Sequence, residues 1–179
     1  MMKKTNYLIF TFLLLSIGTF AQNGEIIDVE AFNTLTVKGS FNVVLHTGEP
    51  YLHFKSGDGS DVLVENKNGI LSVTSKNGTD ILHDLHIGSP GFKNINITID
   101  GDFTVNKSSI SFSTLNFNAN IKGETKLNLN GAVFVGNFNN CGKVTITGTV
   151  DNIYSNLSNT ADLNTTNLKA GSSSINHKD

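Results

Sequence analysis

From Phe32 onward, apolar and polar residues alternate in short runs, and no stretch shows the three-to-four-residue recurrence of an amphipathic helix. "FNTLTVKG", "FNVVLHTG", "YLHFKSG", "DVLVEN" and "GILSVTSKNG" follow one another from Phe32. Each is strand-sized, rich in β-branched or aromatic residues, and ends in Gly, Asn or Asp. This pattern commits the chain to strands that bury one face and expose the other. Pro50 and Pro90 fall between runs, and "KNG" at Lys67–Gly69 and again at Lys76–Gly78 predicts turns with left-handed residues.

The second half repeats. "FNANIKG" from Phe117, "FVGNFNN" from Phe134, "IYSNLSN" from Ile153 and "LKAGSSS" from Leu168 stack at intervals of 17, 19 and 15 residues. Each begins with a large apolar residue and has a small one two places on: Ala119, Gly136, Ser155, Ala170. Between them run "KLNLNG" and "KVTITG", with Leu129 and Ile146 again 17 apart. A period of about 17–20 residues is too short for a helix pair or a propeller blade and suits one coil of a parallel β-solenoid. The repeat predicts large over large in the core and small over small at corners. It also predicts Asn in left-handed turns and Asn side chains bonded along the axis. A β-sandwich of hairpins is the alternative architecture.

The first 21 residues are read apart from the fold. "MMKK" is a basic leader, "YLIFTFLLLSIG" is an apolar run too short to span a bilayer comfortably, and "TFA" puts Thr19 and Ala21 at the −3 and −1 positions of a cleavage site. The expectation is a signal peptide over 1–21, with no Cys at the cut for lipid attachment, and a single domain over 22–179, exported and not cytoplasmic. Net charge is −2, and all the cationic residues are Lys, with no Arg in the chain. Without the bidentate guanidinium, nucleic-acid, nucleotide and acidic-sugar readings all weaken, and no nucleic-acid partner is expected. Cys141 is the single cysteine, so no internal disulfide forms, and it reads as a small buried apolar residue.

The segment from Phe32 to Gly78 resembles the opening of the head GIN domain family of auto-transporter adhesins: a strand ending in Gly, a valine-rich strand, an aromatic strand, a short acidic turn, then an "nG-L-x-V" strand. "FKNINITIDGDFTV" and the Gly-punctuated runs after it resemble the family's rungs. The resemblance covers Phe32 to the C-terminus. It implies a right-handed β-helix exported to the cell envelope by Bacteroidetes-type bacteria, at the surface or in the periplasm. The chain departs from the family in its turns, where "KGE", "NCG" and "SNT" replace "GSG". It also ends at "SSSINHKD" without the usual closing rung. The second departure predicts an open edge and self-association through the C-terminal rung.

Several constellations in the sequence bear on chemistry. "SGDGSDVLV" (Ser56–Val64) differs in one residue from the calcium nonapeptide G-G-x-G-x-D-x-U-x, so Asp58 and Asp61 are candidate calcium ligands. No second copy follows nine residues on, and calcium wants six or more oxygens, so an ordinary turn is the preferred reading. "DILHDLHIG" offers His83 and His86 as candidate metal ligands, with Asp80 and Asp84. Residues three apart on a strand point to opposite faces, so a solvated loop is preferred. Glu124, Asp151, Asp162 and Asp179 fall in no common column, Asp100 and Asp102 flank Gly101 as a turn, and no catalytic motif occurs. A non-enzyme without cofactor is expected. The outward residues singled out as a contact face for cell-surface glycan or an envelope protein are Asn116, Asn118, Asn120, Asn128, Asn130, Thr145 and Thr147.

Overall fold

The computed structural model describes residues 26–56, 61–76, 81–106, 109–159 and 162–178. Every regular element in it is a strand: β1 (Ile26–Asp28), β2 (Thr34–Gly39), β3 (Phe41–Thr47), β4 (Tyr51–Ser56), β5 (Val62–Lys67), β6 (Ile70–Ser75) and β7 (His83–Ser89). After these come β8 (Asn94–Ile99), β9 (Phe103–Val105), β10 (Ile110–Ile121), β11 (Thr125–Asn139), β12 (Lys143–Ser158), β13 (Asp162–Asn164) and β14 (Leu168–Lys178). All belong to one continuous sheet that curls back on itself around a shared core.

Two ladders run through the sheet. One reads β5-β6-β2-β8-β10-β11-β12-β14 and the other β1-β4-β7-β3-β9-β11-β12-β13. The long strands β11 and β12 bend and serve both: Thr125–Lys126 of β11 pair with β9, while its later residues pair with β10. Stacked equivalents lie 22, 19, 19 and 20 residues apart along the Asn column Asn96, Asn118, Asn137, Asn156 and Asn176. The period expected from the sequence is therefore close to the real one.

The register agrees with the sequence alignment between Phe134 and Ile153 but differs by two residues at Phe117 and by five at Leu168, where Ile153 pairs with Ser173. Phe134 lies beside Leu115 and Ile153, whereas Phe117 lies beside Gly136 and Leu168 beside Gly148. Leu127, not Leu129, pairs with Ile146. A two-residue slip keeps the inward face inward, so alternation alone does not oppose it. Packing does. The Phe117 column continues into Gly136 and Ser155, not into another large residue, because the neighbouring rings need that volume. A Cβ on Gly136 would stand 2.7 Å from the rings of both Phe134 and Phe138.

The first half is also not a simple succession of parallel coils. β5 pairs with β6 antiparallel, and so does β4 with both β1 and β7. The β5–β6 hairpin turns at Asn68 (φ 54°) and Gly69 (φ 74°), the left-handed pair expected there. The β2–β3 rung is laid between two others: β2 pairs with β6 on one side and β8 on the other, and β3 with β7 and β9. Neighbours in space are thus not neighbours in sequence. The mixture of directions corrects the expectation of an all-parallel coil; all-β architecture stands.

Inward positions are filled by Leu, Ile, Val and Phe, with Phe117 ringed by Phe103, Phe138 and Phe134 at centroid distances of 5.2, 5.6 and 6.3 Å. Cys141 is buried, 3.5 Å from the Ala119 carbonyl oxygen, and burial raises its thiol pKa. At the corners Asn140 (φ 49°) and Asn159 (φ 52°) take the left-handed conformation one above the other, the Asn159 amide donating to Asn140 Oδ1 at 3.2 Å. Asp100 and Asp102 shape another corner. Asp100 meets Lys122 at 2.7 Å, and the Glu124 backbone N–H donates to Asp102 Oδ1 at 2.8 Å.

Candidate functional site

The outward side of the first ladder is a lattice of amides. Its columns are Thr34–Asn94–Asn116, Thr36–Asn96–Asn118–Asn137–Asn156–Asn176, and Thr98–Asn120 continuing to Asn139. In the central column each Nδ2 donates to Oδ1 of the rung before: Asn118 to Asn96 at 2.9 Å, Asn137 to Asn118 and Asn156 to Asn137 at 2.8 Å, Asn176 to Asn156 at 3.2 Å. Asn is a poor strand former, and the in-register ladder offsets that. An interior amide spends one N–H and one oxygen lone pair in the column and keeps one of each for what lies above. Rungs repeat about every 4.8 Å, and alternate residues along a strand about every 6.7 Å, so the free groups form a regular grid. A shallow depression runs across it between Asn96, Asn118, Asn120, Asn137 and Asn139.

The residues singled out from the sequence divide between two faces. Asn116, Asn118 and Asn120 lie together in the lattice. Asn128 and Thr147 pair on the second ladder, Thr145 is two residues from Thr147 on the same side, and Asn130 pairs with Thr149 farther along β11. Thr147 Oγ1 donates to the Leu127 carbonyl at 3.2 Å. Asn94, Asn96, Asn137, Asn156 and Asn176 were missed. Correct register in the repeat alignment would have found them.

The outward side of β3, β4 and β7 gathers three of the five histidines. His46 Nε2 and His86 Nδ1 are 2.9 Å apart, and their ring planes are inclined by only 24°. His53 stands directly across from His86, ring centroids 6.3 Å apart. Tyr51 lies 5.9 Å from His46 and packs flat over Gly88, where any Cβ would come within 2.4 Å of the phenol ring. Asn106 Nδ2 is 3.0 Å from His46 Nδ1. With the amide as donor, His46 carries its proton on Nε2 and gives it to His86 Nδ1. Next to this chain Asp84 accepts from Ser56 Oγ at 2.7 Å and Asn42 Nδ2 at 2.9 Å, and these bonds hold its carboxyl below the ordinary carboxylate range.

Partial burial, then the positive charge of Lys55 and the flanking His46 and His53, bring the His86 pKa down to about 4; Asp84 opposes this. Burial and Lys55 lower His46 as well. An unfolded histidine takes its proton near pH 6.5, so between 6.5 and 4 the unfolded chain binds more protons than the folded one. Stability is therefore full above pH 6.5 and falls as pH drops toward 4. Asp84, with its pKa depressed, loses its contribution only below that window. In thermal melts across pH 4–8, the midpoint is expected to be level above 7 and to decline below 6.5, with a smaller decline in His86→Asn.

The structure separates His83 from His86. His83 points inward, wholly buried between Phe41 and Phe54, with Nε2 3.2 Å from Asp61 Oδ1. The contact is not a hydrogen bond, and among the described residues neither ring nitrogen has a hydrogen-bond partner. The pair bridges β7 to the start of β5. Asp61 thus faces a histidine on the core side, and Asp58 lies outside the described residues. Among the described residues no three His, Cys, Asp or Glu side chains stand in a coordinating arrangement.

A single curled sheet with an amide lattice on one outward face and an imidazole cluster on another defines a non-helical scaffold whose chemistry is carried by strand faces. The chain belongs to the family described as "Putative auto-transporter adhesin, head GIN domain", whose model matches residues 31–178. Its fold is similar to that of a "putative adhesin" from Bacteroides fragilis: TM-score 0.77 and 16% identity over 86% of this chain and 75% of that one. A "putative adhesin" from Parabacteroides distasonis gives 0.63 and 15% over 90% and 79%. A "putative lipid binding protein" from the same species gives 0.51 and 16% over 89% and 80%. At these identities the likeness is one of fold. No curated protein matches the chain.

Proposed function

We propose that the chain is an exported, non-catalytic adhesion module: a signal peptide over 1–21 followed by one all-β domain over 22–179, which contacts hydroxyl-rich glycan at the cell surface. The observation that carries this reading is the Asn column from Asn96 to Asn176 with its flanking Thr and Asn columns. Each amide presents a donor and an acceptor side by side, matching a sugar hydroxyl, which is both. Repetition lets many weak contacts add along a polymer. Asn116, Asn118 and Asn120 belong to this surface; Asn128, Asn130, Thr145 and Thr147 would form a second, smaller one. The family and its adhesin-titled neighbours agree with the reading.

Binding to immobilised cell-surface polysaccharides tests it. Asn118→Ala with Asn137→Ala is expected to weaken retention at least about tenfold, while far-UV circular dichroism is unchanged. Retention equal to that of the parent chain would refute the lattice as the contact face. Protease shaving of intact cells tests the location: removal of the protein is expected, and survival until the outer membrane is opened would place it in the periplasm instead.

A second reading is favoured by one observation. Among the described residues β14 pairs only with β12, and the residues it stacks over the core column, Ala170, Ser173, Ile175 and His177, are all exposed. An eleven-residue strand with a free edge and no proline is a template for another strand. Self-association in sedimentation that disappears in Ile175→Lys supports a structural role through this edge; a monomer at all concentrations dismisses it.

A further inference from the structure

We infer that His46 and His86 form a two-imidazole site for a late divalent transition ion, copper(II) in particular, on the outward face of β3 and β7. The two nitrogens stand 2.9 Å apart and are supplied by adjacent strands of one ladder, so their spacing is fixed by the sheet and not by a flexible loop. With metal–nitrogen bonds of about 2.0–2.1 Å, neighbouring positions of a tetragonal ion require a separation of about 2.9 Å, whereas a tetrahedral ion requires about 3.3 Å. The observed spacing is that of a hydrogen bond between the rings, and it leaves both nitrogens within reach of one ion once the rings turn; copper(II) heads the affinity order for nitrogen ligands. Both rings are partly exposed, so they can turn until their lone pairs meet on the solvent side. Water fills the remaining positions.

Proton bookkeeping closes without a co-reactant. The proton that His46 Nε2 shares with His86 moves to His46 Nδ1, and the ion binds the freed Nε2 and His86 Nδ1 on the solvent side. Asn106, now a donor to Nδ1, turns its amide to present Oδ1 to the new N–H. Asn106 is therefore a positioning residue, of the kind that fixes the tautomer of a ligating histidine. His86 keeps its Nε2 proton. The charge environment is mixed: Lys55 opposes a cation, while the Asp84 carboxylate, two residues from His86 on the same face, favours it.

The test is titration of copper(II) into the purified chain, carrying no polyhistidine tag, read by calorimetry and by electron paramagnetic resonance at pH 7. One ion per chain with two nitrogen ligands is expected. His46→Ala and His86→Ala should each weaken binding at least about tenfold, with circular dichroism unchanged. Should either variant fail to fold, His46→Asn and His86→Asn, which keep a polar group on that face, replace them. Copper that binds equally well to all four variants, or follows His177 or the chain's amino terminus instead, would overturn the assignment, as would no binding at all.

Discussion

Phe117→Ala is expected to lower the free energy of unfolding by about 3–5 kcal/mol, the range for truncating a buried aromatic whose surroundings do not collapse. Collapse is blocked here from every side. Phe103, Phe134 and Phe138 stand around the ring, Ile95 lies beneath it, and the next residues of the column are Gly136 and Ser155, which have no bulk to move inward. The Ser155 hydroxyl is already buried without a partner, so a cavity next to it would have no compensating contact. Set against a total stability of about 5–15 kcal/mol for a domain, the loss takes a large share. Urea unfolding followed by circular dichroism measures it. A shift under about 1 kcal/mol would mean that the aromatic stack does not hold the core.

Gly148→Ala is expected to have the next largest effect. Gly148 adopts φ 107°, and an added Cβ would stand 2.0 Å from the Leu129 carbonyl oxygen and 2.9 Å from the Leu129 nitrogen. Strain in that region of backbone space costs about 1–3 kcal/mol on its own. The clash is with backbone, on a residue paired in register with Leu129 and Leu168, so no side chain can swing away. Relief requires parting the β11–β12 ladder at the bend. The urea midpoint should fall by more than in Gly91→Ala, where a Cβ meets nothing within 4 Å and φ lies outside the left-handed region.

Alternation made the strands legible. The runs quoted from Phe32 coincide with β2 to β6, and the repeat from Phe117 with β10 to β14. The register was not legible, because a slip of two residues preserves every inward side chain, and only the volumes around Phe117 and Gly136 decide between slips. Nor was the position of the β2–β3 rung, since its inward residues, Leu35, Val37, Phe41, Val43 and Leu45, would pack equally well beside any neighbour. The expectation of a solvated loop at "DILHDLHIG" is corrected: from His83 on it is strand β7, with His83 wholly buried, because its apolar alternation continues the core, and only the rule that residues three apart on a strand face opposite ways holds. The partner of His86 was hidden because His46 is 40 residues away. Its trace in the sequence is parity: "FNVVLHTG", "YLHFKS" and "HDLHIGS" each carry a histidine at an outward step, and only knowledge of which strands adjoin brings the three together.

The place of the β2–β3 rung bears on how the chain reaches its final form. Its lower neighbours are β6 and β7, its upper ones β8 and β9, and the pairings of Thr34 with Ile70 and with Asn94 close loops that cannot exist until those residues are available. Coils that wind in order can grow from either end, one turn templating the next. This half cannot. The strands first in sequence must wait, edges bare, for others far along the chain to flank them on both sides, and pairings of such long range are slow to form. Once made, the arrangement works as an interlock: the β2–β3 rung cannot leave without parting the ladders on both of its sides, so its release is checked by geometry as well as by energy.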